Sequence, residues 1–305
     1  MNRTSAIEHG FPHLETVRAA VTALYRRLSA DGVRSYAPAF APADAAFSPE
    51  DDLYLGAQRV ASALVRHFRL PDARVVVSFR RMEEAASVEP AAGPEYFVEL
   101  NDRFREHRRD VAAALAHEIA HVFLHRLDLG FPGTRANEIL TDTATAYLGA
   151  GWLLLDAYRE DALTHQKLGY LTPEEFGYVL AKRADLLGED PSPAFTSPQA
   201  WPAYLQGREL ARRDARQAPL AAAPWNERRR YARERRRYAR ERRHALARPG
   251  EPHAPAGLPY RFEGPAGAPR VTFPCPVCHQ RVRVPVRGPV RVRCGLCRSP
   301  LDCET

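Results

Sequence analysis

The placement of cysteine constrains this chain more than any other feature of its sequence. All five cysteines lie in the last 31 residues, so a disulfide framework cannot hold the whole chain. Two Cys-x-x-Cys pairs, Cys275 with Cys278 and Cys294 with Cys297, are separated by fifteen residues, a spacing typical of a four-cysteine zinc site. Such a segment is too small for a core of its own and needs the metal to fold. We therefore expect residues 271–305 to form a zinc ribbon around a structural Zn²⁺.

The sequence between the two cysteine pairs has the period of β-strands. Valine alternates with other residues over 282–286 and again over 290–292, with a Gly-Pro turn in between, which predicts a β-hairpin joining the pairs. His279 and Cys303 do not fit the paired spacing, so we expect neither to bind this metal.

Length and hydropathy limit the class of protein. The 305 residues, 45% of them hydrophobic, suffice for one large or two modest domains. No apolar stretch approaches the ~20 residues needed to cross a bilayer, and the first ten residues lack the apolar core of a signal peptide. We expect a cytoplasmic protein with no membrane partner.

The positive charge belongs to one segment. Residues 226–248 contain eleven arginines and three glutamates, a net +8 that exceeds the +7 of the whole chain. The sequence ERRRYAR occurs twice in succession over 227–240, which predicts a basic helix with Tyr231 and Tyr238 on one stripe. One interpretation is a solvated helical spacer. The other is a nucleic-acid contact, with guanidiniums on phosphates and the two tyrosines stacked on bases.

The ribbon segment raises the same question. Its arginines either contact nucleic acid together with the basic helix or only keep the surface soluble; they are Arg281, Arg283, Arg287, Arg291, Arg293 and Arg298.

Proline-rich stretches divide the rest of the chain. Residues 191–225 and 249–270 are rich in proline, and we expect both to be linkers. They separate an N-terminal domain, residues 1–190, from the basic helix and the ribbon. Within that domain, apolar periodicity predicts helices over 14–28, 53–68, 108–127 and 137–158, a helix capped by Thr172 and Glu175, and strands over 75–79 and 96–100. The expected fold class is α+β, mainly helical with a small β-sheet.

The helix predicted over 108–127 carries the sequence His117-Glu118-Ile119-Ala120-His121. A spacing of four residues places both imidazoles on one helical face, where they can hold one Zn²⁺. Glu118 then lies beside the metal, where its carboxylate can act as general base. A catalytic zinc site needs a third protein ligand, for which Glu138 is the candidate. Asp142, one turn further, can accept the remaining ring N–H of a ligand histidine.

The HExxH sequence followed by Asn137-Glu138-x-x-Thr141-Asp142 resembles the thermolysin-like zinc metallopeptidases, or gluzincins. The resemblance implies that His117, His121 and Glu138 bind the catalytic zinc, that Glu118 is the general base and that Asp142 is the partner of His117. The compact helix–strand–helix order is also similar to IrrE-like and SprT-like zinc peptidase domains. SprT-like proteins commonly carry a terminal zinc ribbon, although that family is expected to use a later histidine in place of Glu138.

Other side chains near the motif remain open. His125 lies eight residues and ~12 Å from His117 along a helix, too far to share its metal, and we expect it only to favour the helix end. An oxyanion donor is also needed, and the candidates are Tyr147, His165, Tyr170 and Tyr178.

The sequence supports two functions of different class. We expect a zinc-dependent peptidase that hydrolyses peptide bonds through metal-activated water, with a peptide or protein as its partner. The alternative is a catalytically inactive, nucleic-acid-associated binding or regulatory protein that uses the basic helix and the ribbon.

Overall fold

The computed structural model describes residues 7–48, 50–160, 165–245 and 258–305 and confirms the predicted α+β fold class. The chain forms two compact units, residues 1–209 and 210–305. Within the described ranges, no helix has both the length and the apolar character needed to cross a membrane.

The first unit consists of helices around a three-stranded sheet. Its helices are α1 (Leu14–Arg34), α2 (Pro42–Ala45), α3 (Leu53–His67), α4 (Val111–Arg126), α5 (Thr134–Tyr147), α6 (Gly151–Asp156), α7 (Pro173–Leu187) and the first part of α8 (Ala200–Ala215), whose last residues belong to the second unit. Its strands are β1 (Arg74–Arg80), β2 (Ala86–Val88), β3 (Glu95–Asn101), β4 (Arg159–Glu160) and β5 (His165–Gln166). The single helix predicted over 137–158 is wrong, because Gly149 has φ 112° and so ends one helix before α6 begins.

The strand order of the main sheet is β1-β3-β2. Strands β1 and β3 are parallel, and β2 runs antiparallel to β3 at one edge. Alternate residues of β1 and β3 are buried, and this face packs on α3 and α4. Strand β2, which the sequence analysis did not predict, therefore places a sheet edge beside α4.

Helix α7 begins with the predicted capping box. The Thr172 hydroxyl accepts the backbone N–H of Glu175, and the Glu175 carboxylate accepts the backbone N–H of Thr172. The chain before α1 is attached to the same helical turn. Gly10 N–H donates to the Glu174 carboxylate over 3.1 Å, and His13 N–H donates to that of Glu175. Both carboxylates are buried.

The prediction that 191–225 is only a linker is wrong, because α8 lies within it. Ala200, Ala203 and Tyr204 are buried. A Cβ atom at Gly207 would lie 2.1 Å from the backbone nitrogen of Tyr178, so the backbones of α7 and α8 are in direct contact. Gly207 therefore allows α8 to pack closely on α7, although its proline-rich surroundings had suggested a flexible linker.

The second unit contains one long helix and two small sheets. Its elements are α9 (Trp225–Ala245), β6 (Arg261–Glu263), β7 (Arg270–Pro274), β8 (Arg281–Pro285), β9 (Pro289–Arg293) and β10 (Pro300–Glu304). The pairing differs from the predicted hairpin, because β8 pairs with β7 and β9 pairs with β10. Each Cys-x-x-Cys turn reverses the chain itself and so brings its own flanking strands together.

The basic helix α9 is not a free spacer. The Tyr231 ring lies 4.9 Å from that of Tyr260, and the Tyr238 ring stacks on Phe262 at 5.3 Å between centroids. Phe262 belongs to β6, so the predicted linker 249–270 is wrong for its second half. Residues 246–257, which include the predicted end of the helix and the first half of that linker, lie outside the described residues.

Candidate metal centres

The structure brings His117, His121 and Glu138 together at one point. Helix α4 supplies the two histidines from adjacent turns, and the first half of α5 supplies the carboxylate. The Nε2 atoms of His117 and His121 are 3.1 Å apart, and each lies 3.1–3.2 Å from Oε2 of Glu138. Three ligand atoms therefore form a nearly equilateral triangle.

The dimensions of this triangle fit a tetrahedral zinc ion. With bonds of about 2.0–2.1 Å from zinc to nitrogen and oxygen, ligand atoms in a tetrahedral site lie about 3.3 Å apart. Three protein ligands leave the fourth position for water or substrate, as in catalytic rather than structural zinc sites. The group can therefore hold a metal ion.

Both histidines are oriented through their other ring nitrogen. His117 Nδ1–H donates to Oδ1 of Asp142 over 2.8 Å. His121 Nδ1–H donates to the Thr141 hydroxyl over 3.3 Å, since that hydroxyl gives its own hydrogen to the Asn137 carbonyl. This pattern leaves both Nε2 lone pairs facing Glu138 and the metal position. Thr141 stands inside the NExxTD motif, but the motif alone did not predict its contact with His121.

Asp142 is in turn held by the loop before α7. Its carboxylate is fully buried and accepts the backbone N–H groups of Tyr170 and Leu171. Gly169 has φ 83°, and a Cβ atom there would lie 2.6 Å from both carboxylate oxygens. Only glycine allows the loop to approach so closely. No sequence pattern linked this loop to the site.

Glu118 lies beside the ligand triangle without belonging to it. Its side chain is buried, and burial raises the pKa of its carboxyl group, although His117 and His121 act to lower it. Burial would also raise the pKa of Glu138, but the two imidazoles outweigh this effect and lower that pKa to about 2 when their Nε2 atoms are protonated and donate to its carboxylate. One carboxylate is thus fixed in its ionised, ligand-competent form, while the other retains the basicity that a proton acceptor needs.

These side chains open into a cleft of about 440 Å³. One wall is the edge strand β2 with residues 84 and 85 before it, and another is the loop 168–170. Of the four candidate oxyanion donors, Tyr170 lines the cleft, whereas Tyr147 and Tyr178 are fully buried. The side chain of His165 lies outside the described residues. His125 is exposed in the last turn of α4 and does not belong to the ligand group.

The second candidate centre is formed by the four cysteines of the ribbon. All four are fully buried, and the Sγ–Sγ distances are 3.7 Å both for Cys275 with Cys297 and for Cys278 with Cys294. Tetrahedral zinc with bonds of about 2.3 Å to sulfur requires about 3.8 Å. The two turns share one geometry, in which the backbone N–H of the first cysteine donates to the carbonyl five residues on. This cluster can therefore hold a metal with no open position.

His279 and Cys303 lie outside the four-cysteine group. His279 occupies the left-handed position that follows Cys278, with φ 59°. Cys303 is buried on β10, and burial raises the pKa of its thiol to about 11.

Searches against protein-family models, curated proteins and solved structures find no match to this chain. Only the geometry of the two centres therefore indicates a function.

Proposed function

We propose that the first unit is a zinc-dependent peptidase of the gluzincin type, with its catalytic zinc on His117, His121 and Glu138. The observation that carries the proposal is the triangle of ligand atoms with a buried carboxylate, Glu118, in the same cleft. A purely structural site would have a fourth protein ligand instead of an opening to solvent. The ribbon, in this proposal, holds a second, structural zinc.

The chemistry divides between the metal and the side chains around it. His117, His121 and Glu138 would hold the zinc ion, which when bound would polarise the scissile carbonyl and lower the pKa of water toward about 7. Glu118 accepts a proton from the attacking water and passes it to the leaving amine. Asp142 and Thr141 keep both imidazoles in the ligating tautomer. Tyr170 is the described side chain in the cleft best suited to donate to the oxyanion.

The sheet edge beside the metal site favours an extended peptide as substrate. Strand β2 pairs only with β3 within the described part of the chain, so its other side presents unpaired backbone groups. Ala86, Ser87 and Val88 line the same cleft as the zinc ligands. A peptide that adds to this edge as a further strand binds through its main chain and largely independently of its side chains.

Glu118→Gln tests the catalytic role. The substitution keeps the size of the side chain but removes its basicity, so hydrolysis of an unfolded protein such as casein should fall by about 10²–10⁴-fold. Zinc content should stay at two ions per chain, because Glu118 is not a ligand. Glu83→Gln is the matched control, since Glu83 is exposed and does not line the cleft.

His121→Ala tests the metal site independently. It should reduce the zinc content from two ions to one ion per chain, because the ribbon keeps its own metal. Hydrolysis should be abolished, because the proposed catalytic zinc is lost. Full hydrolysis by Glu118→Gln would refute the proposed mechanism. A zinc-loaded wild-type protein that cleaves no peptide would favour the non-catalytic alternative.

A further inference from the structure

The packing of α9 in the second unit changes which of its residues can meet a partner. Tyr231 is buried, and Tyr238 stacks on Phe262. The buried Tyr231 ring is therefore not free to stack on a nucleic-acid base, and Phe262 covers one face of the Tyr238 ring, contrary to the interpretation that both tyrosines stack on bases. The opposite face of α9 is the one that remains available.

That opposite face carries a row of arginines. Their spacing of three or four residues places them on one helical face, about 21 Å long, and the five are Arg229, Arg233, Arg236, Arg240 and Arg243. All five are exposed, and none forms an ion pair among the residues that the structure describes. The three glutamates of α9 lie along a different stripe and do not neutralise this row. We call these five residues the arginine row.

An aromatic side chain stands at the beginning of the row. Trp225 precedes Arg229 by one turn on the same face, and 70% of its side chain is exposed. The Arg229 guanidinium lies 5.0 Å from the ring centroid. Trp225 also borders a groove of about 550 Å³, which Pro219, Leu220 and Arg228 help to line. This volume falls within the range of small-ligand sites.

We propose that the arginine row and Trp225 bind single-stranded nucleic acid, with guanidiniums on successive phosphates and the indole stacked on an unpaired base. A regular row of cations with an aromatic platform is the combination used for single strands. A membrane surface is disfavoured, because it requires an apolar helix face and the tyrosine face of α9 is buried against Tyr260 and Phe262. A duplex offers phosphates but no free base for Trp225.

The test measures binding of the full-length, zinc-loaded chain to a labelled 20-nucleotide oligothymidylate across a salt series. Five phosphate contacts predict a slope of log K against log salt of about −3.5, and about a 100-fold loss of affinity between 50 and 200 mM salt. Replacing Arg233, Arg236 and Arg240 with glutamine should reduce the slope to about −1.4. Replacing Arg74, Arg81 and Arg109, which are exposed in the first unit, removes the same charge and should leave the slope unchanged.

Trp225→Ala tests the stacking contact. It should weaken binding to the oligonucleotide by about 5- to 150-fold and leave duplex binding unchanged, whereas Trp201→Ala, at a half-exposed tryptophan of the first unit, should change neither. Equal loss of affinity in the two arginine triple variants would overturn the proposal. So would equal binding of polyglutamate, or an unchanged affinity in Trp225→Ala. Circular dichroism of each variant checks that α9 remains folded.

Discussion

Gly169→Ala should weaken the proposed catalytic zinc site without touching one of its ligands. The new Cβ atom would lie 2.6 Å from both oxygens of Asp142, whereas ordinary contact begins at about 3.5 Å. The loop or the carboxylate must therefore move by up to about 0.9 Å. A shift of that size in the carboxylate lengthens its 2.8 Å hydrogen bond to His117 beyond hydrogen-bonding range.

Two separate costs follow from this substitution. An alanine forced into a positive φ, as at Gly169, lowers folding stability by about 1–3 kcal/mol whatever surrounds it. Loss of the Asp142 contact with His117 should further reduce zinc affinity by about 10- to 100-fold. The four-cysteine site shares no residue with this loop and should keep its affinity, which provides an internal reference in the same molecule.

Competition with a chromogenic zinc chelator resolves the two affinities. Gly188→Ala is the matched control, because Gly188 also has positive φ, 71°, but has no atom within 4 Å of the added Cβ. It should lose stability and keep both zinc affinities. If Gly169→Ala binds catalytic zinc as tightly as Gly188→Ala does, the assigned role of Asp142 is wrong.

Three further predictions concern other contacts. Thr141→Val removes the acceptor of His121 Nδ1–H and should lower the affinity of the proposed catalytic site for zinc by about tenfold in the chelator assay. Thr143→Val, which removes a hydroxyl on the same helix, should leave that affinity unchanged. Tyr231→Ala should lower the free energy of unfolding of the second unit by about 3–5 kcal/mol. Tyr231→Phe should leave the thermal unfolding temperature unchanged, because the buried hydroxyl has no partner among the described residues. Burial raises the pKa of Tyr260 from 10.0 to about 12. The folded state therefore holds this proton more tightly, and the contribution of Tyr260 to stability should fall by about 1 kcal/mol between pH 9 and 11. Tyr260→Phe should make the pH dependence of unfolding shallower by that amount, while other buried groups with raised pKa values, such as Tyr231, keep their part.

The two histidines could be predicted from sequence because their geometry is local: His117 and His121 need only one helix to face the same point. Glu138 and Asp142 were instead predicted from the NExxTD motif, since only the packing of α5 on α4 brings them to the histidines. The loop that holds Asp142 could not be predicted in this way. Gly169 meets Asp142 only after α7 docks, and the residues around Gly169 form no pattern that indicates this contact.

The second unit shows the same limit in its strands and helix. Alternating valines correctly predicted the strands β8 and β9 but not their partners. Such a pattern indicates which face of a strand is buried, but not which strand pairs with it. Strand β2 has three residues, too few for an alternation to be recognised. The tyrosines of α9 have the same spacing whether they meet bases or Phe262, so the sequence alone left both partners open.

The attachment of residues 10–13 to the start of α7 bears on how the first unit can be produced by itself. A fragment that begins at α1 would leave the Glu174 and Glu175 carboxylates without the N–H donors of Gly10 and His13. Those acids directly follow the loop that fixes Asp142, so trimming the amino end can impair zinc loading from a distance. Expression boundaries and affinity tags for this unit are therefore best placed upstream of His9.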